Sequence, residues 1–348
     1  MMNKKSLPVV SVIIPAYNAK KYLERAVNSV LNQSYKNVEV IIINDGSSDD
    51  TLSIIKKLSV LHKEIIFFSH ENQGISKTRN KGIELAKGKY ICFLDSDDTY
   101  EPDFLMMLLK ETEENNIDFS YCLFNKVFDN NDIRPSKEYI DNNTIINFLN
   151  FDYFDICCLF LKKQFIEKHQ IKFDTNMIVG EDVWFILQSL YLGKYTCVNE
   201  HLYNYYHIPT SIMNKKWKVN NYLDEINAWE AILENTKLHY TLTQKDELLN
   251  KINIKLLNLK IQFMWKLLSS GYFEYLDDYL NKFRYDEHLF SKIKKSRKYK
   301  FRYDEHLFSK IKKSRKYKFR LKIIESKSYF LWKITKFFIA KKKNIIEL

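Results

Sequence analysis

An α/β fold built on a mostly parallel sheet, flanked by helices, is the class this sequence predicts, and three observations carry it. Short runs rich in Val and Ile alternate with amphipathic helical stretches between residues 9 and 94. Two of those runs, residues 38–43 and 90–94, are apolar without alternation, as strands covered on both faces are. Each empties into an acidic turn, Asn44-Asp45-Gly46 after the first and Asp95-Ser96-Asp97-Asp98 after the second. Open sheets of this kind bind ligands beyond the carboxyl ends of their strands, so function is expected at that edge.

Taken in order, residues 9–14 are β-branched and apolar and read as the first strand, after which Pro15-Ala16-Tyr17-Asn18 turns the chain. Residues 19–33 place Tyr22, Leu23, Ala26, Val27, Val30 and Leu31 at helical spacing. The strand at 38–43 follows, then a helix at Thr51–Leu61, a short strand at 65–68, a helix at 76–86 and the strand at 90–94. The chain has only seven glycines, and Gly46 and Gly180 adjoin acidic turns, where positive φ or the close approach of a ligand calls for glycine.

At 348 residues, 45% hydrophobic and 15% aromatic, the chain is long and apolar enough for about two folded domains. Cys92, Cys122, Cys157, Cys158 and Cys197 lie mostly in apolar runs without C-x-x-C spacing, so they read as reduced core residues, not as a zinc site or disulfide frame. Lys4 and Lys5 before an apolar run imitate a signal peptide, but the run is short and broken by Pro8 and Pro15. No apolar stretch reaches the roughly 18 residues of a membrane-spanning helix. The net charge of +12 is uneven: residues 282–348 hold 23 Lys and Arg against six Asp and Glu, which leaves a mildly acidic body.

Three acids as close as Asp95, Asp97 and Asp98 repel one another, so a cation belongs beside them. A hard divalent ion, Mn²⁺ or Mg²⁺, carrying substrate phosphates fits oxygen ligands of this sort. The alternative is an Asp-rich turn in which Asp98 caps the next helix. Tyr17 reads either as an aromatic that lies on a nucleobase or as a packed loop tyrosine, and Asp45 either as an acceptor for a base N–H or as a turn former before Gly46.

Five short motifs stand in sequence: Val12-Ile13-Ile14-Pro15-Ala16-Tyr17-Asn18, Asn44-Asp45-Gly46-Ser47, Gly74-Ile75-Ser76-Lys77-Thr78-Arg79-Asn80-Lys81-Gly82, Asp95-Ser96-Asp97-Asp98 and Gly180-Glu181-Asp182. On these the chain resembles the inverting glycosyltransferases of family 2, of bacterial surface-glycan type, over residues 8–210. The resemblance implies the GT-A fold, with a nucleotide-sugar site that includes Pro15 and Ser96. By the same resemblance Tyr17 would stack on the base, Asp45 would contact uracil, and Arg79 would lie near the base and diphosphate. Asp95 would approach the ribose and Asp97 would ligate the metal, with Asp95 and His207 as further ligands. Asp182 matches the family's catalytic base, with Glu181 beside it. Asn44 departs from the pattern, where the family often has a first Asp. The pair Glu181-Asp182 also reads as a helix start, because Val183, Ile186, Leu187 and Leu190 continue an apolar face. His207 sits in Tyr203-Asn204-Tyr205-Tyr206-His207, which equally reads as a packed aromatic strand.

The expected domains are 1–210 for the glycosyltransferase, 211–281 for a helical region and 282–348 for a basic tail. Residues 282–299 recur without a mismatch as 300–317, a duplication that a helix absorbs in register because 18 residues make five turns. Beyond it Phe330, Leu331, Ile334, Phe337 and Phe338 share an arc opposite Lys333 and Lys336. Such a helix suits an anionic membrane surface, or packs, solvated, on its own domain. No nucleic-acid recognition fold accompanies the charge, so nucleic acid is not an expected partner. The resulting expectation is a metal-dependent hexosyl- or N-acetylhexosaminyltransferase that uses a UDP-sugar and a glycan or lipid-linked acceptor on the cytoplasmic face of a bacterial membrane. The contrasting one is a non-catalytic membrane- or nucleic-acid-binding protein on a degenerate GT-A scaffold. Deleting residues 318–348 is expected to release the protein from anionic vesicles in a sedimentation assay, and full retention would remove the membrane reading.

Overall fold

The structure, a computed structural model, describes residues 9–130, 132–136, 144–149, 154–208, 219–239 and 245–270. The tandem repeat and the aromatic-basic end of the tail lie outside the described residues. β1 (Val10–Ala16), β2 (Val38–Asp45), β3 (Ile65–His70) and β4 (Tyr90–Phe93) alternate with α1 (Leu23–Leu31), α2 (Thr51–Leu61) and α3 (Ile75–Leu85). Then come β5 (Thr99–Tyr100), α4 (Phe104–Glu114), β6 (Phe119–Val127), β7 (Ile133–Pro135) and α5 (Thr144–Leu149). A single 3-10 turn, Ile156–Cys158, leads into β8 (Leu159–Lys162), α6 (Lys163–His169), α7 (Glu181–Leu192), β9 (Tyr195–Tyr206), α8 (Val219–His239) and α9 (Lys245–Ser270).

Among the described residues the strands form one sheet in the order β3-β2-β1-β4-β8-β6-β9-β5, with β7 beside β6. The first four are mutually parallel, with Val10 opposite Val38 and Tyr90, and Val40 opposite Ile65. Every residue of β1 is buried, as the unbroken apolar run requires of a strand with helices on both faces. Pro15 is tolerated there because the β4 ladder ends at Ile13 opposite Phe93, so the missing N–H falls beyond the last pair on that side. From β4 outward the sheet turns mixed: β8 pairs antiparallel with β4 and β6, while β6 and β9 run parallel. The chain fills β2 and β3 on one side of β1, then returns to the other side as β4. That reversal opens a crevice at the carboxyl ends of β1 and β4.

Helix α1 starts later than its apolar spacing suggests because Ala19 to Tyr22 first make a turn, with the Tyr22 and Leu23 N–H groups both on the Ala19 carbonyl at 3.0 Å. Asp98 does not cap the next helix. Helix α4 begins at Phe104 after Asp103, and Asp98 is turned inward to β9. An aromatic cluster lies under the crevice: Phe173 stacks on Phe185 at 4.3 Å between centroids, and Phe93 meets both edge-on. Each fully buried ring of this kind is worth about 1.5–3 kcal/mol. All five cysteines are free, Cys197 half-buried and the others buried, as core residues. No helix among the described residues is long and apolar enough to cross a membrane.

Two compact units divide the chain, residues 1–216 with 227–252 and residues 217–226 with 253–348. In the second, Tyr222 and Phe263 rings pack 6.1 Å apart, and buried Lys255 is pushed down to about 8 by desolvation, against the charge of Glu225.

Gly46 holds φ +65° directly after Asp45, and a Cβ there would come within 2.4 Å of the Asn72 backbone nitrogen. Gly46→Ala is expected to cost about 1–3 kcal/mol, measured as a lowered urea midpoint. An unchanged midpoint would show that the loop carrying Asn72 yields freely.

Candidate active site

The crevice gathers its residues from strand ends. Tyr17 follows β1 and is 52% exposed, so it is not a packed loop tyrosine; its ring is open to a ligand. The loop that carries it is tied to the loop after β2. Asn18, at φ 50°, accepts from the Ser48 N–H at 2.8 Å, and the Asn18 N–H donates to the Ser47 hydroxyl at 3.0 Å. Asp45 ends β2 buried, and its two oxygens accept from the Gln73 and Gly74 N–H groups at 2.7 and 3.1 Å, with His70 Nδ1 3.4 Å away. It therefore shapes the loop before α3, and a carboxylate so engaged still has lone pairs for a base N–H.

Asp95, Ser96, Asp97 and Asp98 form a turn closed by the Asp98 N–H on the Asp95 carbonyl at 3.1 Å. Its three acids meet different fates. Asp95 is half-buried and accepts from Arg79 Nη2 at 2.9 Å. Asp97 is half-buried, and burial and then Asp95 raise its pKa, while its own backbone N–H and Arg25 oppose the rise. Asp98 is 1% exposed; Tyr203 donates its hydroxyl to one oxygen and the Tyr206 N–H donates to the other at 2.7 Å. Burial, then Asp97 and Asp95, push its carboxyl well up.

Arg79 lies on the inner face of α3, 4% exposed, above the Phe173 ring at 5.3 Å. It reaches Asp95 with one nitrogen and Glu181 Oε1 with the other at 3.3 Å. Burial works against its charge, but Asp95 first, then Glu181 and Asp182 around it, hold the guanidinium protonated. Glu181 and Asp182 open α7 after Gly180, which adopts φ +80° and faces Ala228 of α8. Asp182 accepts from its neighbour's N–H, Val183, at 2.7 Å through one oxygen. Glu181 is buried, and burial and then Asp182 push its carboxyl up to about 7.

His207 follows Tyr206 at the end of β9; its N–H donates to the Val127 carbonyl at 2.8 Å and its ring packs 5.1 Å from Phe128. Two residues that the motifs do not contain join the site. Asp155, before the 3-10 turn, accepts from the Cys157 N–H at 2.9 Å, and burial and then Asp95 push it up to about 6. Arg25 of α1 donates to the Asp97 carbonyl. Among the described residues, Asp95, Asp155 and Cys157 bring ligand atoms within 4.8 Å of one another. Cys157 is raised by burial and then by Asp95, so it stays a thiol and is a poor partner for a hard cation. The carboxyls of Asp95 and Asp155 suit such an ion, whereas Asp98, with both oxygens engaged, is not available to it.

A parallel half-sheet with an acidic turn at its switch point, continued by a mixed half that brings a second acidic pair over it, is the architecture of GT-A glycosyltransferases. Residues 11–179 match the model of glycosyl transferase family 2, and that part of the chain belongs to the family. The chondroitin synthase of Pasteurella multocida strain Pm70 is 32% identical over 235 residues, 64% of this chain and 23% of that one, so the chain spans under a quarter of its length. Staphylococcus aureus TarS residues 1–349, solved in complex with UDP-GlcNAc, superposes with a TM-score of 0.59 at 20% identity, over 73% of this chain and 80% of that one. The mannosyltransferase PcManGT of Pyrobaculum calidifontis, solved with GDP-Man and Mn²⁺, gives 0.53 at 13% identity over 82% and 86%. These two likenesses show the fold.

A carboxyl that holds its proton more tightly folded than unfolded stabilises the fold below its unfolded value, near 4.5 for Glu181, and loses that contribution as pH rises through about 7. In EDTA, Glu181→Gln is expected to flatten the fall in urea-unfolding stability across that window. An unaltered profile would mean that Glu181 is ionised throughout.

Proposed function

We propose that the chain transfers a sugar from a nucleotide diphosphate donor, a UDP-sugar, to a hydroxyl of a growing surface glycan, with inversion at the anomeric carbon. The observation that carries this reading is the shared guanidinium: Arg79 joins Asp95 on the donor side to Glu181 on the acceptor side, beside Asp182. Inversion needs one in-line displacement, hence one base facing the acceptor and charge stabilisation behind the leaving diphosphate. Relatives solved with UDP-GlcNAc and with GDP-Man support a nucleotide-sugar donor, and a relative named for chondroitin synthesis supports a polysaccharide acceptor.

In this reading Tyr17 lies on the base, with Pro15 beneath it in β1, and Asp45 accepts from the base N–H. Asp95 and Ser96 orient the ribose and diphosphate at the turn, and Arg79 stabilises the charge there. Asp97 holds the divalent cation together with Asp95, and His207 lies on the strand end nearest the turn as a further donor. A bound Mn²⁺ or Mg²⁺ would supply charge neutralisation at the departing nucleotide. Asp182 takes the proton from the acceptor hydroxyl, and Glu181, tied to Arg79, fixes the helix start that presents it. The basic residues of 282–348 hold the protein on an anionic inner membrane face, where a lipid-linked acceptor would be met. A non-catalytic scaffold has no use for Asp97 and Asp182 in one crevice, which weighs against that alternative.

Asp182→Asn is expected to lower turnover by about 10² to 10⁴ while donor binding, read by calorimetry, stays near wild type. Unchanged turnover would remove Asp182 from the mechanism.

A further inference from the structure

We infer that Arg25 is a positioning residue for the acidic turn: by gripping the Asp97 backbone it aims the Asp95 and Asp97 carboxylates at one divalent cation. This rests on the reading of Asp97 as a metal ligand given above. Two geometric observations converge on Arg25. Its Nη2 donates to the Asp97 carbonyl across 72 residues of chain. Its guanidinium carbon lies 3.5 Å from the centroid of the Tyr206 ring and 5.6 Å from that of Tyr22, so two aromatic faces fix its plane.

The geometry gives the grip a purpose. The turn is held at its first acid by Arg79, and at its last by Tyr203 and the Tyr206 N–H. Asp97, between them, has the side chain that is left for a ligand. The Asp97–Asp98 peptide is tied at its N–H by the Asp95 carbonyl, and the Arg25 bond to the Asp97 carbonyl ties its other edge, so the two together oppose a rotation that would swing the carboxylate away. Because the bond goes to the backbone, Arg25 itself takes up neither Asp97 carboxylate oxygen. Tyr206 serves both anchors, through its N–H to Asp98 and its ring to Arg25, so the end of β9 and the helix α1 act on the turn as one clamp. A charge-assisted hydrogen bond of this kind is worth enough to move a binding constant about tenfold.

The test is Mn²⁺ titration of the full chain in the presence of UDP, followed by electron paramagnetic resonance, alongside initial rates against Mn²⁺ concentration. Arg25→Ala should raise the Mn²⁺ concentration for half-occupancy about tenfold and leave kcat at saturating Mn²⁺ within a few-fold of wild type. Arg25→Lys, which keeps the charge but not the planar fork, should fall between the two. A purely structural Arg25 would lower Tm and kcat without moving the Mn²⁺ midpoint, and that result overturns the inference. Tighter Mn²⁺ binding by Arg25→Ala overturns it too, because Arg25 would then be only a competing charge. If Arg25→Ala does not fold, the lysine variant carries the test, and a wild-type midpoint in it counts against the clamp. Failure of the wild-type chain itself to take up Mn²⁺ would instead bring down the metal reading, and the inference with it.

Discussion

The arrangement depends on one buried cation. Arg79 has its guanidinium on Asp95 in one direction and on Glu181, 102 residues further along the chain, in the other. The first partner closes a strand of the parallel half-sheet, and the second opens a helix that belongs to the mixed half. Glu181 is buried beside Arg79, and removing the guanidinium would leave that carboxyl without its charge partner, a loss that for a buried pair typically costs about 3–5 kcal/mol. The two sides of the crevice are thus held by one side chain resting on Phe173, and that ring is itself stacked on Phe185.

Around that cation the acids divide by what they already hold. Asp45 and Asp98 are buried, and both oxygens of each accept from backbone N–H groups or a tyrosine hydroxyl, so both shape loops, Asp45 with lone pairs still left for a ligand. Asp95, Asp97 and Asp182 keep oxygens unspent. The surplus of negative charge registers as raised carboxyls at Asp97, Asp155 and Glu181, and Tyr205 is pushed up to about 12 by burial and then Asp98. A site in this condition favours a ligand that brings positive charge, as a metal-bound diphosphate donor does through its ion.

The parallel half was legible because its signals are local. Unbroken apolar runs predicted β1, β2 and β4 to within a few residues, and helix α2 came out at Thr51–Leu61 as its spacing required. The motif residues Tyr17, Asp45, Arg79, Asp95 and Asp182 likewise stand next to elements that periodicity reveals. What escaped has long-range causes. Asp98 looks like a cap until Tyr203 and Tyr206, more than a hundred residues away, claim it. Arg25 reads as the polar side of an amphipathic helix, and nothing near it in sequence announces Asp97. Asp155 stands before a three-residue 3-10 turn and a four-residue strand, both too short for a period to show. A lone acid beside two cysteines in an apolar stretch was the available hint.

The close fit of Gly180 against Ala228 has a consequence for where the chain can be cut. Gly180 introduces the helix of the acidic pair, and the helix that backs it lies some fifty residues downstream, beyond both the family match and the last strand. The first compact unit takes in residues 227–252 accordingly. A fragment stopped at the last strand would keep every motif and still lack Ala228, the residue that closes on Gly180 behind the acids. The first unit is therefore completed by packing on the far side of α7, and it continues to residue 252, past the family match that ends at 179.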